Sequence, residues 1–246
     1  MKRIVKMALA GLLLLSGSVY AQDDAEEEKK LGWTGTGELG FVSTTGNTES
    51  TALNAKLNFI LQRERWRFRF SGTALKTSEN KITDNERYTV EVQGDRELSK
   101  KSWLFLAYRW DADKFGSYDP QMSFTGGYGY QLMKSEKHQL KGEIGAGYKK
   151  LKERADGDTN NEAIARLLLD DSWQVFKTTF WTNRLLVEAG SSNTFFQFNT
   201  NVAVSMTERF AVKFGYEVRH NTDVPDDIED SKNTDTITSV NLVYNF

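Results

Sequence analysis

The C-terminal segment, residues 240–246, limits the possible folds more than any other part of the chain. Apolar side chains occupy every second position and share one face of an extended chain: Val240, Leu242, Tyr244 and Phe246. A lipid-facing strand buries a final aromatic ring at the membrane interface and leaves its carboxylate in water. We therefore expect these four residues to close an outer-membrane β-barrel and to form the assembly signal through which the barrel-assembly machinery binds the chain.

The N-terminal residues predict export. A basic start with Lys2, Arg3 and Lys6 precedes an apolar run, and Val19-Tyr20-Ala21 resembles a signal-peptidase site. We expect residues 1–21 to be a cleaved Sec signal peptide, 22–32 a charged periplasmic tail and 33–246 the barrel. The apolar run is too short for a membrane helix, and without cysteine the chain has no site for a lipid anchor.

The composition narrows the function classes. The predicted mature chain has no long hydrophobic segment, so only a closed barrel would span a bilayer. Removal of three signal-peptide cations takes the formal charge from −2 to −5, which does not indicate nucleic acid as a partner. We expect the partners to be outer-membrane lipid and lipopolysaccharide. An acidic loop near residues 223–230 is either solvated or holds divalent cations that bridge it to lipopolysaccharide phosphates.

Alternation of apolar and polar residues continues through the mature chain. It predicts an antiparallel, all-β, up-and-down transmembrane barrel of about twelve strands, each about ten residues long. The predicted strands are 33–41, 53–61, 66–74, 86–97, 103–113, 121–132, 139–150, 162–172, 179–190, 194–206, 210–220 and 235–246. In 103–113 and 162–190 both faces are apolar, so the sequence leaves open which residues there face outward. Polar segments at 43–50, 78–85, 113–120, 151–161 and 221–234 predict longer external loops that hold both prolines.

Aromatic residues begin the outgoing strands. An even strand number places both termini in the periplasm, so these rings would form an interfacial girdle at that rim. The predicted girdle is Trp33, Trp66, Trp103, Trp181, Phe210 and Phe246. A soluble β-sandwich with an aromatic core would not require five outgoing strands to begin alike.

Several sequence segments resemble one family. They are residues 40–50 at the first hairpin, Asp113-Lys114-Phe115, the glycine-rich run 126–130 and the last five residues. The chain is similar over residues 33–246 to the YdiY-like, salt-induced outer membrane proteins, domain of unknown function 481. The resemblance implies location and fold, and it supplies no substrate.

The polar face of the strands predicts a charged lumen. The expected pore-lining residues are Glu38, Lys56, Arg67, Arg69, Glu91, Lys141, Glu143, Arg166, Arg184, Lys213, Glu217 and Arg219, with Asp170 and Glu188 also turned inward. A water-filled lumen of this kind predicts a narrow pore for small polar solutes with a mild anion preference. If the charges pair instead, as Arg69 with Glu91, the barrel is non-conducting and acts through its external loops.

An enzyme is the weaker class. Barrel phospholipases place His and Ser two residues apart on a strand, and neither His138 nor His220 has that setting. A cluster of His220 with Asp223 and Glu217 is the remaining candidate for acid–base or metal chemistry. We expect no catalytic residues, no cofactor and no bound metal.

Overall fold

The computed structural model describes residues 31–44, 50–80, 82–154, 156–223 and 233–246. In this part of the chain twelve antiparallel strands form one closed barrel. The strands are β1 (Gly32–Thr44), β2 (Ser50–Gln62), β3 (Trp66–Glu79), β4 (Ile82–Glu97), β5 (Ser102–Asp113), β6 (Tyr118–Lys134), β7 (His138–Glu153), β8 (Thr159–Phe176), β9 (Thr179–Ala189), β10 (Thr194–Ser205), β11 (Phe210–Asn221) and β12 (Thr234–Asn245). The predicted fold class and strand number are confirmed.

Side-chain alternation decides which face of each strand turns inward. Large apolar residues at every second position are exposed on the outer surface, as at Phe124, Tyr128 and Tyr130 of β6. Between them, polar residues such as Ser123 and Thr125 are buried in the interior. A barrel with an apolar exterior and a polar interior has the surface that a bilayer requires. No helix in the described residues is long and apolar enough to span a membrane.

The strands are longer than expected. They run from 11 residues in β9 to 18 residues in β8, and the prediction of about ten per strand is wrong. The predicted loop 78–85 is mostly hairpin, because β3 continues to Glu79 and β4 begins at Ile82. Asn80 lies in the turn with a positive φ of 50°. Ladder hydrogen bonds satisfy backbone groups in water as well as in lipid, so polar loop sequence does not end a strand.

Pro120 also lies inside a strand, which contradicts the expectation that both prolines are in loops. It belongs to β6, where the pairing with β7 shifts between Tyr118 and Gln121. An irregular ladder tolerates a residue that cannot donate a backbone hydrogen bond. Pro225, the signal peptide and residues 22–30 lie outside the described residues.

The two ends of the barrel differ. The terminal end carries residue 31, Phe246 and five connections of two to four residues. The far end carries the other six connections. The longest strands are β4, β6, β7 and β8, with 16, 17, 16 and 18 residues. Which end faces the periplasm stays a prediction.

Trp103 corrects the predicted girdle. Its side chain is only 6% exposed and turns inward, and the inner face of β6 leaves room for the indole. A Cβ built on Gly129, its ladder partner, would lie 2.1 Å from the indole ring. The indole Nε1 donates to Glu143 Oε1 at 3.2 Å. Placement of Trp103 among lipid-facing aromatics is therefore wrong.

The closure seam is the contact between β1 and β12. The ladder pairs Thr36–Leu39 with Leu242–Asn245. The backbone groups of Gly35 and Phe246 exchange two further hydrogen bonds of 3.0 Å. These bonds close the sheet into a barrel.

Candidate functional site: the luminal cavity

A cavity of about 370 Å³ lies inside the barrel and receives residues from all twelve strands. Eleven of the twelve predicted pore-lining residues are on its wall: Glu38, Lys56, Arg67, Arg69, Glu91, Lys141, Arg166, Arg184, Lys213, Glu217 and Arg219. The twelfth, Glu143, is 2% exposed and lies behind the wall. The sequence left open which residues of β8 and β9 face the lumen, and in the structure Arg166 and Arg184 do.

Among the described residues, four interior carboxylates lie behind the cavity wall, whereas six others are on it: Glu38, Glu91, Asp170, Asp171, Glu188 and Glu217. Asp95, Asp111, Asp113 and Glu143 are buried and are not on the cavity wall. Their arginine partners are on that wall: Arg67, Arg69, Arg87, Arg109, Arg166 and Arg219. Each pair therefore presents its positive partner to the cavity. The surface that a solute meets is more cationic than the interior as a whole.

One ion-pair cluster lies towards the terminal end. Arg67 Nε contacts Asp95 at 2.8 Å, and Arg69 contacts Asp95 at 3.2 Å and Glu143 at 2.9 Å. Arg166 reaches the second oxygen of Glu143, also at 2.9 Å. Both carboxylates thus have two partners each, which offsets the cost of removing these charges from water.

A second cluster lies towards the far end. Asp111 contacts both Arg109 and Arg219 at 2.5 Å. The two guanidinium groups also lie over the fully buried ring of Phe195, with distances of 4.6 and 5.2 Å from the centroid. Lys149 approaches the same ring at 5.0 Å and pairs with Glu188 at 3.3 Å. The ring of Phe195 therefore packs inside the barrel against three basic side chains.

Several ion pairs cross the lumen. Arg219 on β11 meets Asp111 on β5, six strands away around the barrel. Arg184 on β9 reaches Glu91 on β4 at 3.0 Å. The expected pair of Arg69 with Glu91 is wrong, because each has nearer partners of opposite charge. These two bridges join β4 with β9 and β5 with β11 across the lumen.

Asparagine side chains also lie on the cavity wall. They include Asn54, Asn58, Asn199, Asn201 and Asn241, from β2, β10 and β12. Asn58 and Asn241 make side-chain hydrogen bonds with Thr36 and Glu38 on β1. These side chains are shorter than those of the arginines on the same wall.

Lys56 and Lys141 differ from the other wall cations. Neither makes an ion pair among the described residues, whereas Lys213 pairs with Glu38. Their ammonium groups are therefore free to interact with an ion in the cavity. Substitution at either position removes a charge without breaking a salt bridge.

The remaining predicted girdle residues lie on the outer surface at the terminal end. Trp33, Trp66, Trp181, Phe210 and Phe246 are all exposed there. The residues of the predicted assembly signal, Val240, Leu242, Tyr244 and Phe246, share the outer face of β12 and its end. Their roles with lipid and with an assembly partner stay predictions.

The histidines do not form a site with the groups named from sequence. His138 Nε2 lies 2.6 Å from Asp171 Oδ1, and His220 Nδ1 lies 2.8 Å from Thr234 Oγ1. In the described part of the chain no group of three or more His, Cys, Asp or Glu side chains is arranged to hold a metal.

Sequence reasoning missed several interior charges, chiefly Arg87, Asp95, Arg109, Asp111 and Lys149. The signal was present on β4, because outward Tyr88, Val90 and Val92 require Arg87 and Asp95 to turn inward. On β5 both faces are apolar near Trp103, so parity there depended on the register with the glycines of β6.

Comparison with known families gives one match that covers most of the chain. A model of the family described as "Protein of unknown function, DUF481" matches residues 37–246. The chain is 26% identical over 231 residues to the "Uncharacterized protein YdiY" of Escherichia coli K12, covering 92% of this chain and 88% of that protein.

Solved structures with this fold include an outer membrane channel from Pseudomonas putida F1. It is 10% identical, with a TM-score of 0.50, and the match covers 92% of this chain and all of that one (100%). The translocator domain of the autotransporter NalP from Neisseria meningitidis is 12% identical, with a TM-score of 0.49 and coverage of 89% and 90%. The channel shares the fold, and at this identity it shows nothing further.

Proposed function

The chain belongs to the DUF481 family, and we propose that this member is a narrow outer-membrane pore for small polar solutes with a preference for anions. An outer-membrane location is supported by the closed barrel and by its likeness to an outer membrane channel. A periplasmic position of both termini, contact with lipopolysaccharide and recognition of the last strand by the assembly machinery are parts of the same proposal.

The placement of charge carries the proposal. Four interior carboxylates are buried behind their arginines, and two lysines on the wall have no ion pair among the described residues. Among the described residues, an anion in the cavity meets ten basic side chains against six carboxylates on the wall, which favours it over a cation. Twelve strands give a lumen intermediate between filled and open barrels.

A second candidate rests on the bridges that cross the lumen. The pairs Arg219–Asp111 and Arg184–Glu91 join strands on opposite sides of the barrel. If they close the path completely, the protein is a non-conducting barrel that acts through its far-end loops. In neither case do we propose catalysis.

Conductance of the purified, full-length mature protein in planar bilayers separates the two. The folded state is first verified by migration that changes on heating, which is typical of closed barrels. Discrete current steps support the pore if their reversal potential is displaced towards the equilibrium potential of the anion. A folded protein that gives no steps, or cation-selective steps, refutes an anion-preferring pore.

A further inference from the structure

The closure seam is paired over only half its length. The ladder stops at Leu39 and Leu242, and within the described backbone Gly40–Thr44 has no partner on β12. In contrast, β1 pairs with β2 along its whole length, and β12 pairs with β11 from Thr234 to Tyr244. Both strands are therefore fully paired on their other sides, and only the ladder between β1 and β12 stops short.

A specific contact stands where the ladder ends. Asn241 turns inward, donates to Glu38 Oε2 at 3.3 Å and accepts from Asn54 Nδ2 at 3.4 Å. It occupies the space above Gly40, where an added Cβ would lie 2.2 Å from Asn241 Oδ1. The side chain of Asn241 thus bridges the two sides of the seam from within, and the unpaired half begins directly beyond it.

The cavity reaches this unpaired half. Its wall includes Glu38, Asn241, Ser239 and Ile237, which follow the inner face of the seam. On the outer face, Phe41 is 65% exposed and Val240 is 50% exposed. Beyond Leu39 and Leu242, strand edges without ladder bonds therefore separate the charged cavity from the apolar outer surface.

We propose that the far-end half of the seam is a lateral passage between the lumen and the membrane, and that it carries an anionic amphiphile. The anionic head is placed by Lys56 on the neighbouring strand β2, a wall cation without an ion pair among the described residues. The hydrocarbon tail passes between Phe41 and Val240, whose side chains are apolar. Strand edges without partners are costly in lipid, and movement of the two edges changes no hairpin of the barrel.

Passage through the seam is separate from ion flow along the barrel axis. A covalent lock across the seam therefore tests this inference without testing the proposed pore. The chain contains no cysteine, so introduced pairs give defined disulfides. The lock variant is Phe41→Cys/Val240→Cys, at positions that extend the register of the paired half.

The matched control is Thr51→Cys/Ser78→Cys. These residues face each other at the far end of the β2–β3 ladder, and their hydroxyl oxygens are 2.7 Å apart. This disulfide joins two strands that are already fully paired. It introduces the same chemistry at the same end of the barrel without touching the seam.

The probe is an alkylsulfonate with a pyrene at the end of its chain, added to proteoliposomes that contain a trapped quencher. Its permanent charge makes unassisted crossing of the bilayer slow. We expect oxidation to reduce the quenching rate of the lock variant by roughly tenfold or more relative to its own reduced state, towards that of protein-free liposomes. The control should transfer at the wild-type rate in both redox states.

Unchanged transfer by the oxidised lock overturns the lateral passage. If the two sulfurs do not meet, a short bis-methanethiosulfonate linker closes the same pair, and the same outcomes apply. Bilayer conductance is measured on the same samples. Lost transfer with retained conductance supports the seam, whereas absent conductance in wild type refutes the pore and leaves the transfer result to decide the seam.

Discussion

The two lysines without ion pairs give the sharpest test of anion preference. Lys56→Gln/Lys141→Gln removes two positive charges from the cavity wall and breaks no salt bridge among the described residues. We expect the barrel to fold as wild type and to lose most of its selectivity. The matched control is Lys100→Gln/Lys177→Gln, in turns at the terminal end.

The magnitude follows from the size of the cavity. A volume of about 370 Å³ corresponds to a sphere of roughly 4.5 Å radius, which places an ion at its centre roughly 7 Å from a wall nitrogen. Coulomb's law in water then gives about 0.6 kcal/mol per charge, with opposite signs for anion and cation. After screening at 0.1 M salt, the anion-to-cation permeability ratio should fall roughly five- to tenfold for the double variant.

The assay is the reversal potential across a tenfold KCl gradient, repeated at high salt. The difference from wild type should shrink in about 1 M salt, where the screening length is about 3 Å. A ratio that changes by no more than the control's, at equal unit conductance, would show that ions do not pass these lysines. It would also remove the reason for an anion preference.

Three further variants test the packing. Gly129→Ala directs a methyl group into the indole of Trp103 and should lower the free energy of unfolding, measured by urea titration, by about 1–3 kcal/mol. The control is Gly37→Ala, whose nearest contact is 3.7 Å away and which should not lower it. Equal urea midpoints for the two variants would contradict the inward orientation of Trp103. Asp111→Asn leaves Arg109 and Arg219 without their carboxylate, so we expect the free energy of unfolding to fall by about 3–5 kcal/mol and the unit conductance to rise. An unchanged conductance would mean that this bridge does not narrow the path. Gly35→Ala places a carbon 2.3 Å from the C-terminal phenyl ring and should lower the heat-modifiable yield on refolding, a result that normal yield would exclude.

Strand number and inward charge could be predicted because they depend on local alternation. Tyr88, Val90 and Val92 fix one face of β4 whatever its neighbours are. Strand ends could not be predicted in the same way. Polar residues near 78–85 suit a loop or an exposed hairpin equally well, and only pairing with the adjacent strand decides between them.

The partners of the luminal charges were also beyond local reasoning. Arg69 has an inward Glu91 nearby on the next strand, yet it pairs with Asp95 and with Glu143 from β7. That choice depends on barrel diameter and on strand stagger, which bring distant strands face to face. The orientation of Trp103 was recoverable in principle, since its register opposite Gly129 provides the space that the indole fills.

The order of events in folding follows from the way the sheet closes. Eleven ladders join strands that follow each other in the chain, and each can form as a local hairpin. The twelfth brings together Thr36 and Asn245, and closing a loop of roughly 200 residues costs about 5 kcal/mol of chain entropy. Only the shortest ladder of the barrel offsets that cost, so closure should be the last and slowest step of folding. The species that precedes it is a curled sheet of twelve strands with two free edges, and this is the form that any cellular assembly factor would have to hold in the membrane.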